Sequence, residues 1–179
     1  VDALTEAVAA QVVGDPMDPA TQIGPLVADR QRDRVLGLID QGKNEGARVT
    51  TGGGRPAFET GYFVDPTVFA DVTNDMVIAR EEIFGPVLSV IAYDGVDEAV
   101  AIANDSPYGL SGSVWGVDGA HAADVARRID TGTVTVNHFG MAFGAPFGGY
   151  KDSGLGRELG PEGVDAYLQK KSISLDPAG

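Results

Sequence analysis

Between residues 87 and 136 the sequence alternates segments typical of β-strands with segments typical of amphipathic helices. The strand-like segments are 87–91, 113–116 and 133–136, and the helical segments between them carry alanine and valine at the spacing of one helix face. This order predicts parallel strand pairing with right-handed crossovers. We therefore expect an α/β fold, a three-layer arrangement in which a mainly parallel sheet has flanking helices.

Further elements are expected on both sides of this region. Residues 28–44 place Val35, Leu38 and Ile39 on one face of a helix, and Gly46 then permits the left-handed conformation in which many helices end. Residues 171–176 alternate as an exposed terminal strand does, and such an edge favours association with another subunit. A chain of 179 residues fits a single domain over 1–179.

The segment 81–86 is expected at the mouth of the predicted sheet. Glu81 and Glu82 are followed by Phe84 and by Gly85-Pro86, a turn that ends any helix before the next strand begins. A carboxylate in a loop at this position can accept hydrogen bonds from both hydroxyls of a ribose, and the aromatic side chain can cover a flat ring. The alternative is a solvated acidic turn whose phenylalanine fills the core.

Residues 139–160 are rich in glycine and lack the periodicity of a helix or a strand. Such a stretch is either disordered or a binding loop, and its aromatic residues favour the loop because they supply surface to bury. The glycines at 154, 156 and 160 resemble a dinucleotide fingerprint only weakly, since no apolar strand precedes them. Ser153 lacks the glycine two positions earlier that a nucleophile elbow needs, and His138 is far in sequence from the other histidine, so a metal site is not expected.

Charge and cysteine content narrow the classes of function. The 26 acidic and 13 basic residues give a formal net charge of -13, which repels nucleic acids and anionic membrane surfaces. No apolar run is long enough to cross a bilayer, and the expected location is cytoplasmic. The sequence contains no cysteine, which excludes disulfides, cysteine-based zinc sites and a thiolate nucleophile within these 179 residues.

Five groups of residues, in this order along the chain, resemble NAD(P)-dependent aldehyde dehydrogenases. They are Gly24-Pro25 before a helix with Gln31 and Arg34, the run Glu81 to Val87 (E-E-I-F-G-P-V), Ala103-Asn104 with Tyr108-Gly109-Leu110, Gly132 to Asn137, and Pro146-Phe147-Gly148-Gly149 followed by Lys151, Ser153-Gly154 and Gly156-Arg157-Glu158. Each group is a weak signal alone, but together they cover essentially the whole chain. The resemblance implies the C-terminal portion of an aldehyde dehydrogenase catalytic domain, with NAD or NADP as cofactor.

The resemblance assigns cofactor-binding roles to four residues. Glu82 resembles the acid that accepts hydrogen bonds from the hydroxyls of the nicotinamide ribose. Phe84 resembles the aromatic residue beside the nicotinamide. Gln31 and Arg34 fall where the family contacts the cofactor, although lysine is common in the place of Arg34.

The same resemblance assigns the aldehyde tunnel to Phe147 and Phe143. The spacing between Asn137 and Pro146 varies in the family, so the assignment of Phe143 is the weaker of the two. The expected partners are an aldehyde substrate, a dinucleotide-binding portion that would lie upstream, and further copies of the protein in a homo-oligomer. Partners that are nucleic acids or membranes are not expected.

The catalytic residues of the family are absent from this chain. In aldehyde dehydrogenases a cysteine thiolate attacks the aldehyde, a hydride passes to the nicotinamide, and a glutamate-activated water releases the acid. The cysteine, that glutamate, the asparagine of the oxyanion hole and the dinucleotide-binding portion would all lie before Val1, which is itself not a methionine. We therefore expect part of an oxidoreductase that is inactive as this chain alone.

Two other functions remain open from the sequence. The chain could be a non-enzymatic truncated module that associates with a full-length subunit through its terminal strand. It could also be a freestanding nucleotide-binding protein that uses the loop at Gly154, although the weak fingerprint disfavours this.

Overall fold

The computed structural model describes residues 1–176 and divides into two compact units. The first unit is Val1–Tyr93 and the second begins at Asp94. The prediction of one domain over residues 1–179 stays a prediction, and the two units are described in turn. Within the described residues no helix is both long and apolar enough to cross a membrane.

The first unit contains three helices and a three-stranded sheet. Its elements are α1 Asp2–Ala9, α2 Asp29–Asn44, β1 Arg48–Thr51, β2 Thr67–Ala70, α3 Val77–Arg80 and β3 Val87–Ser89. The strand order is β1-β2-β3, with β1 antiparallel to β2 and β2 parallel to β3. The central strand β2 is fully buried along its length, as expected for a strand covered on both faces.

The core of the first unit forms between α2 and the sheet. Val35 and Ile39 from α2 and Phe69 from β2 have no exposed surface, and Ile78 and Ile83 pack into the same cluster. Burying each of these side chains contributes about 1.5 to 3 kcal/mol relative to leaving it exposed. The apolar stripe of α2 therefore fixes this helix against the sheet, and the opposite face of α2 is left for polar contacts.

In the second unit, residues 94–176 form two pairs of strands and three short helices. Its elements are α4 Val96–Asn104, β4 Tyr108–Gly109, β5 Ser111–Val114, α5 Gly119–Ala126, β6 Thr133–Val136, β7 Tyr150–Lys151 and a 3₁₀-helix Pro161–Tyr167. Strand β5 is parallel to β6 with α5 between them in sequence, and β4 is antiparallel to β7. Asp118 caps α5 because its carboxylate accepts hydrogen bonds from the amides of Ala120 and His121.

The predicted α/β architecture is confirmed, with differences at particular elements. The helix predicted over 28–44 begins one residue later, and Gly46 has the left-handed φ of 99° that was expected after its end. Parallel pairing is present in β2–β3 and β5–β6, whereas β1–β2 and β4–β7 are antiparallel pairs that the sequence did not predict. Residues 171–176 have no strand partner within the described chain, so their pairing with another subunit stays a prediction.

Candidate functional site

The loop between α3 and β3 carries the acids and the phenylalanine singled out from the sequence. Helix α3 ends at Arg80, so Glu81 and Glu82 follow the helix and are exposed. Ile83 points the other way into the core of the first unit. Phe84 then has a left-handed φ of 54° and leaves 72% of its surface exposed. The loop therefore alternates between an exposed acid, a buried anchor and an exposed ring.

The conformation of Phe84 is not explained by burial of its ring. A left-handed backbone costs a residue other than glycine about 1 to 2 kcal/mol, and burial of the ring does not compensate because most of the ring stays in contact with water. The next residue, Gly85, lies so close to α2 that an added Cβ would stand 2.8 Å from the γ-carbons of Val35. Because 72% of the surface of Phe84 is exposed, the alternative prediction that this phenylalanine fills the core is wrong.

Two polar residues near the start of α2 bind the backbone of this loop. Gln31 donates from Nε2 to the carbonyl oxygens of Ile83 (3.2 Å) and Phe84 (2.9 Å). Arg34 donates from Nη1 to the carbonyl oxygens of Glu82 (2.8 Å) and Ile83 (3.0 Å), and its Nη2 lies 3.7 Å from the Glu81 carboxylate. Helix α2 thus holds three consecutive carbonyl groups of the loop.

The structure brings together the four residues predicted to bind cofactor, but in two different positions. Glu82 and Phe84 present their side chains to solvent, whereas Gln31 and Arg34 use theirs on the backbone of the same loop. Direct contact of any of the four with a cofactor stays a prediction. The sequence did not predict the positioning role of Gln31 and Arg34, and its only signal was two long polar side chains one helical turn apart near the start of α2.

We expect Gln31→Ala to loosen this loop. The change removes two hydrogen bonds to backbone carbonyls, which should lower the free energy of unfolding by about 1 to 2 kcal/mol. Hydrogen exchange should also become faster at the amides of residues 82–84. Gln41→Ala is the matched control, because Gln41 is exposed on the same helix. Equal exchange rates at residues 82–84 in both variants would contradict the positioning role.

In the second unit, Phe147 is fixed by the glycine-rich stretch rather than by a regular strand. Its backbone forms an isolated antiparallel bridge with Glu158, through two hydrogen bonds of 2.7 Å. Phe147 contributes to the walls of two cavities, of about 650 and 350 Å³. Phe143 lies outside both linings and is 75% exposed. The tunnel assignment of both phenylalanines stays a prediction.

Several polar side chains of the second unit form hydrogen bonds with the backbone of other segments. The amide group of Asn137, which follows β6, donates to and accepts from the backbone of Gly116, both at 2.8 Å. Lys151 donates to the carbonyl oxygens of Asn104 (2.7 Å) and Ser106 (3.1 Å), and the Ser153 hydroxyl accepts from the amide of Gly109 (3.0 Å). Ser153 therefore braces Gly109 through its side chain, and its exclusion as a nucleophile stays a prediction.

The two histidines and the glycine pattern at Gly154 were the other features of the sequence considered for a metal or a phosphate. The His138 ring lies 3.1 Å from the carbonyl oxygen of Val136, and within the described residues no group of three or more His, Cys, Asp or Glu side chains could hold a metal ion. Gly154 lines the larger cavity, and its φ of 121° is a turn conformation. The weak fingerprint at Gly154 therefore begins no dinucleotide-binding helix, because the 3₁₀-helix starts only at Pro161.

Comparison with known proteins gives one consistent family. The family described as "Aldehyde dehydrogenase family" matches this chain over residues 1–173. Geranial dehydrogenase of Castellaniella defragrans is 56% identical over 175 residues, which are 98% of this chain and 36% of that relative. The Mycobacterium tuberculosis aldehyde dehydrogenase complexed with NAD+ is 55% identical with a TM-score of 0.94, over 98% of this chain and 36% of that one.

A further solved structure is also similar. A mutant of aldehyde dehydrogenase C from Pseudomonas syringae, complexed with NAD+ and octanal, is 49% identical with a TM-score of 0.91, over 94% of this chain and 35% of that one. The chain thus spans little more than a third of the length of these relatives. Since the family match covers almost all of its residues, the chain belongs to the aldehyde dehydrogenase family.

Proposed function

We propose that this chain supplies part of the active site of an oxidoreductase that oxidises an aldehyde to a carboxylic acid with NAD or NADP. The proposal is supported by membership of the family and by similar structures that were solved as NAD+ complexes. The chain corresponds to about 36% of its relatives. The remaining residues of the active site, and the dinucleotide-binding portion, would come from polypeptide outside this chain.

The observation that carries the proposal is the pair of exposed side chains on the loop between α3 and β3. Glu82 offers two carboxylate oxygens, which match the two neighbouring hydroxyls of a ribose as hydrogen-bond acceptors. Phe84 keeps its ring exposed in spite of an unfavourable backbone conformation. Backbone strain of this kind is concentrated at binding sites, where the surrounding structure maintains it. These residues therefore fit the nicotinamide riboside end of the cofactor.

Within such a site the residues of this chain would bind and orient. Glu82 would accept hydrogen bonds from the ribose hydroxyls, and Phe84 would restrict the nicotinamide ring to one plane. Gln31 and Arg34 would keep both side chains in place by holding the loop carbonyls. The bound nicotinamide supplies the acceptor for the hydride. Phe147 and Phe143 would contact the apolar part of the aldehyde.

We expect the isolated chain to form no NADH or NADPH from an aldehyde. It has no cysteine, so the thiolate that attacks the aldehyde cannot come from these 179 residues. The measurement is the absorbance of the reduced cofactor with purified chain, aldehyde and either NAD or NADP. Turnover above that of a buffer blank would contradict the expectation and would require a different nucleophile.

The proposed role is tested in a chimera in which this chain replaces the matching 175 residues of the Castellaniella geranial dehydrogenase. We expect the chimera to oxidise aldehydes, because the replaced segment is 56% identical and would restore the riboside contacts. A folded chimera that binds NAD but does not oxidise aldehydes would count against the proposal. We refer to this protein below as the chimera.

A second candidate is a non-enzymatic truncated module that associates with a full-length subunit. It is favoured by the exposed apolar side chains of Ile173 and Leu175, which leave 77% and 82% of their surface in contact with water. Surface of this kind is often covered by another subunit, and the proposed homo-oligomer of the enzyme would use the same segment. Co-purification of the tagged chain with a full-length relative, lost on Ile173→Asp, would support this candidate.

We also propose a cytoplasmic location.

A further inference from the structure

Two aspartates of the second unit are each followed by glycine, at Asp94-Gly95 and at Asp118-Gly119, and the chain has no Asn-Gly pair. An aspartate before glycine can cyclise, because glycine has no Cβ to obstruct the approach of its backbone nitrogen to the aspartate side chain. The sequence alone gives both pairs the same reactivity. The structure distinguishes them by the hydrogen bonds that hold each pair.

The pair Asp118-Gly119 is held at both its side chain and its backbone. The Asp118 carboxylate accepts hydrogen bonds from the amides of Ala120 (2.9 Å) and His121 (3.2 Å). The carbonyl oxygen of Asp118 accepts another from the amide of Ala122 (2.9 Å). Cyclisation requires rotation of the side chain and of the peptide group that follows it. The capping of α5 therefore opposes the reaction at this pair.

The pair Asp94-Gly95 is free at the same positions. Both residues are exposed, and an added Cβ on Gly95 would meet nothing within 4 Å. Within residues 1–176, no hydrogen bond involves the Asp94 carboxylate, the Asp94 carbonyl oxygen or the Gly95 amide. The side chain and the peptide group can therefore rotate into the reactive geometry without losing a contact.

We propose that Asp94 is a site of spontaneous isoaspartate formation. The Gly95 backbone nitrogen forms a bond to the side-chain carboxyl carbon of Asp94 and loses its proton, while the carboxyl group loses its hydroxyl, so that one water leaves and a succinimide ring remains. Water then opens the ring. Opening at the side-chain carbonyl restores aspartate, and opening at the backbone carbonyl gives isoaspartate. Nothing is oxidised or reduced, and the only reagent is water.

The product would alter the start of α4, which begins directly after Gly95. The Asp94 amide donates to the Glu98 carboxylate, and the Gly95 carbonyl oxygen accepts from the amide of Ala99 (3.2 Å). In isoaspartate the main chain runs through the side chain of Asp94, which inserts a methylene group and leaves a free carboxylate on the α-carbon. The modified chain would thus be a substrate for a protein methyltransferase that recognises isoaspartyl carboxylates. This inference does not depend on the proposed function, because it needs neither cofactor nor aldehyde.

The reaction is measured on the folded 179-residue chain during several weeks at neutral pH and physiological temperature. Isoaspartate is located by proteolytic digestion and electron-transfer fragmentation, and its amount is checked by methyl transfer from S-adenosylmethionine with a purified isoaspartyl methyltransferase. We expect isoaspartate to accumulate at Asp94 about tenfold or more faster than at Asp118, since hydrogen bonds to the charged carboxylate must break first at Asp118. No isoaspartate at Asp94, or equal rates at the two sites, would overturn the proposal.

The same measurement in concentrated urea tests whether the fold causes the difference. Unfolding removes the hydrogen bonds of Asp118, and glycine follows both aspartates. The rates at the two sites should therefore become similar, chiefly because the rate at Asp118 rises. A rate ratio that is the same in the folded and the unfolded chain would overturn the structural explanation.

Asp94→Glu tests the assignment to this side chain. The longer side chain would have to close a larger ring, so the isoaspartate signal of the peptide that contains residue 94 should disappear. Asp130→Glu is the matched control, because Asp130 is an exposed aspartate of the same unit that is followed by threonine instead of glycine. This control should form isoaspartate at Asp94 as fast as the unchanged chain. Methyl transfer to the Asp94→Glu variant at the rate of the unchanged chain would overturn the assignment.

Discussion

Gly132→Ala is expected to destabilise the second unit by more than about 3 kcal/mol, which is at the severe end for a single substitution. The added Cβ would lie 1.6 Å from the carbonyl oxygen of Gly148, an atom of the backbone that cannot rotate away. Relief of this overlap would move Gly132, whose amide donates to the carbonyl oxygen of Gly109 (3.0 Å). The backbone around Gly148 would move as well, and this movement would displace the neighbouring Phe147 in the lining of the two cavities.

The measurement is urea unfolding followed by the fluorescence of Trp115, which reports on the second unit. Gly119→Ala is the matched control, because Gly119 is the first residue of α5 and an added Cβ would meet nothing within 4 Å. This control should unfold at the same urea concentration as the unchanged chain or slightly above it, since alanine favours a helix over glycine. Equal midpoints for the two variants would show that the close approach at Gly132 is absent.

Glu82→Gln is expected to lower kcat/KM of the chimera by about 10- to 100-fold. The amide keeps the size of the side chain but replaces one acceptor oxygen by a donor and removes the charge. Hydrogen bonds to a charged group contribute about 1.5 to 3 kcal/mol, which corresponds to this loss. The effect should appear with saturating aldehyde and varied NAD, because the proposed contact is with the cofactor.

Glu81→Gln provides the matched control for this experiment. Glu81 is the neighbouring acid and is also exposed, but its carboxylate faces Arg34 at 3.7 Å rather than a proposed ligand. A partly exposed ion pair of this kind contributes about 1 kcal/mol or less, so activity should fall no more than a few fold. A larger loss in Glu81→Gln than in Glu82→Gln would exchange the roles of the two acids.

The helices and the exposed loop could be predicted from the sequence because their signals are local. The apolar stripe of α2 repeats at the helical period, and Gly85-Pro86 separates the acids from the strand that follows. The roles of Gln31 and Arg34 could not be predicted in this way. Their hydrogen bonds join residues about 50 positions apart, and helical periodicity carries no information on such partners.

The glycine-rich stretch at residues 139–160 is a second region where sequence alone predicts only part of the structure. Its composition predicts a loop, whereas several of its glycines are required because another backbone segment passes close by. Gly148 is one example, since an added Cβ would lie 2.2 Å from the carbonyl oxygen of Gly156, and Gly149 would meet Ser153 at 2.4 Å. These approaches depend on the tertiary fold, so glycine content alone could not distinguish close packing from phosphate binding or flexibility.

The most direct test of the cofactor role of this chain is a crystal structure of the chimera with NAD+ bound. Glu82 and Phe84 should then lie at the nicotinamide riboside. The predicted result is a carboxylate oxygen of Glu82 within about 2.5 to 3.0 Å of a ribose hydroxyl oxygen, with the Phe84 ring beside the nicotinamide. A bound NAD+ whose ribose hydroxyls are held by other residues, while the Glu82 carboxylate points into solvent, would contradict it.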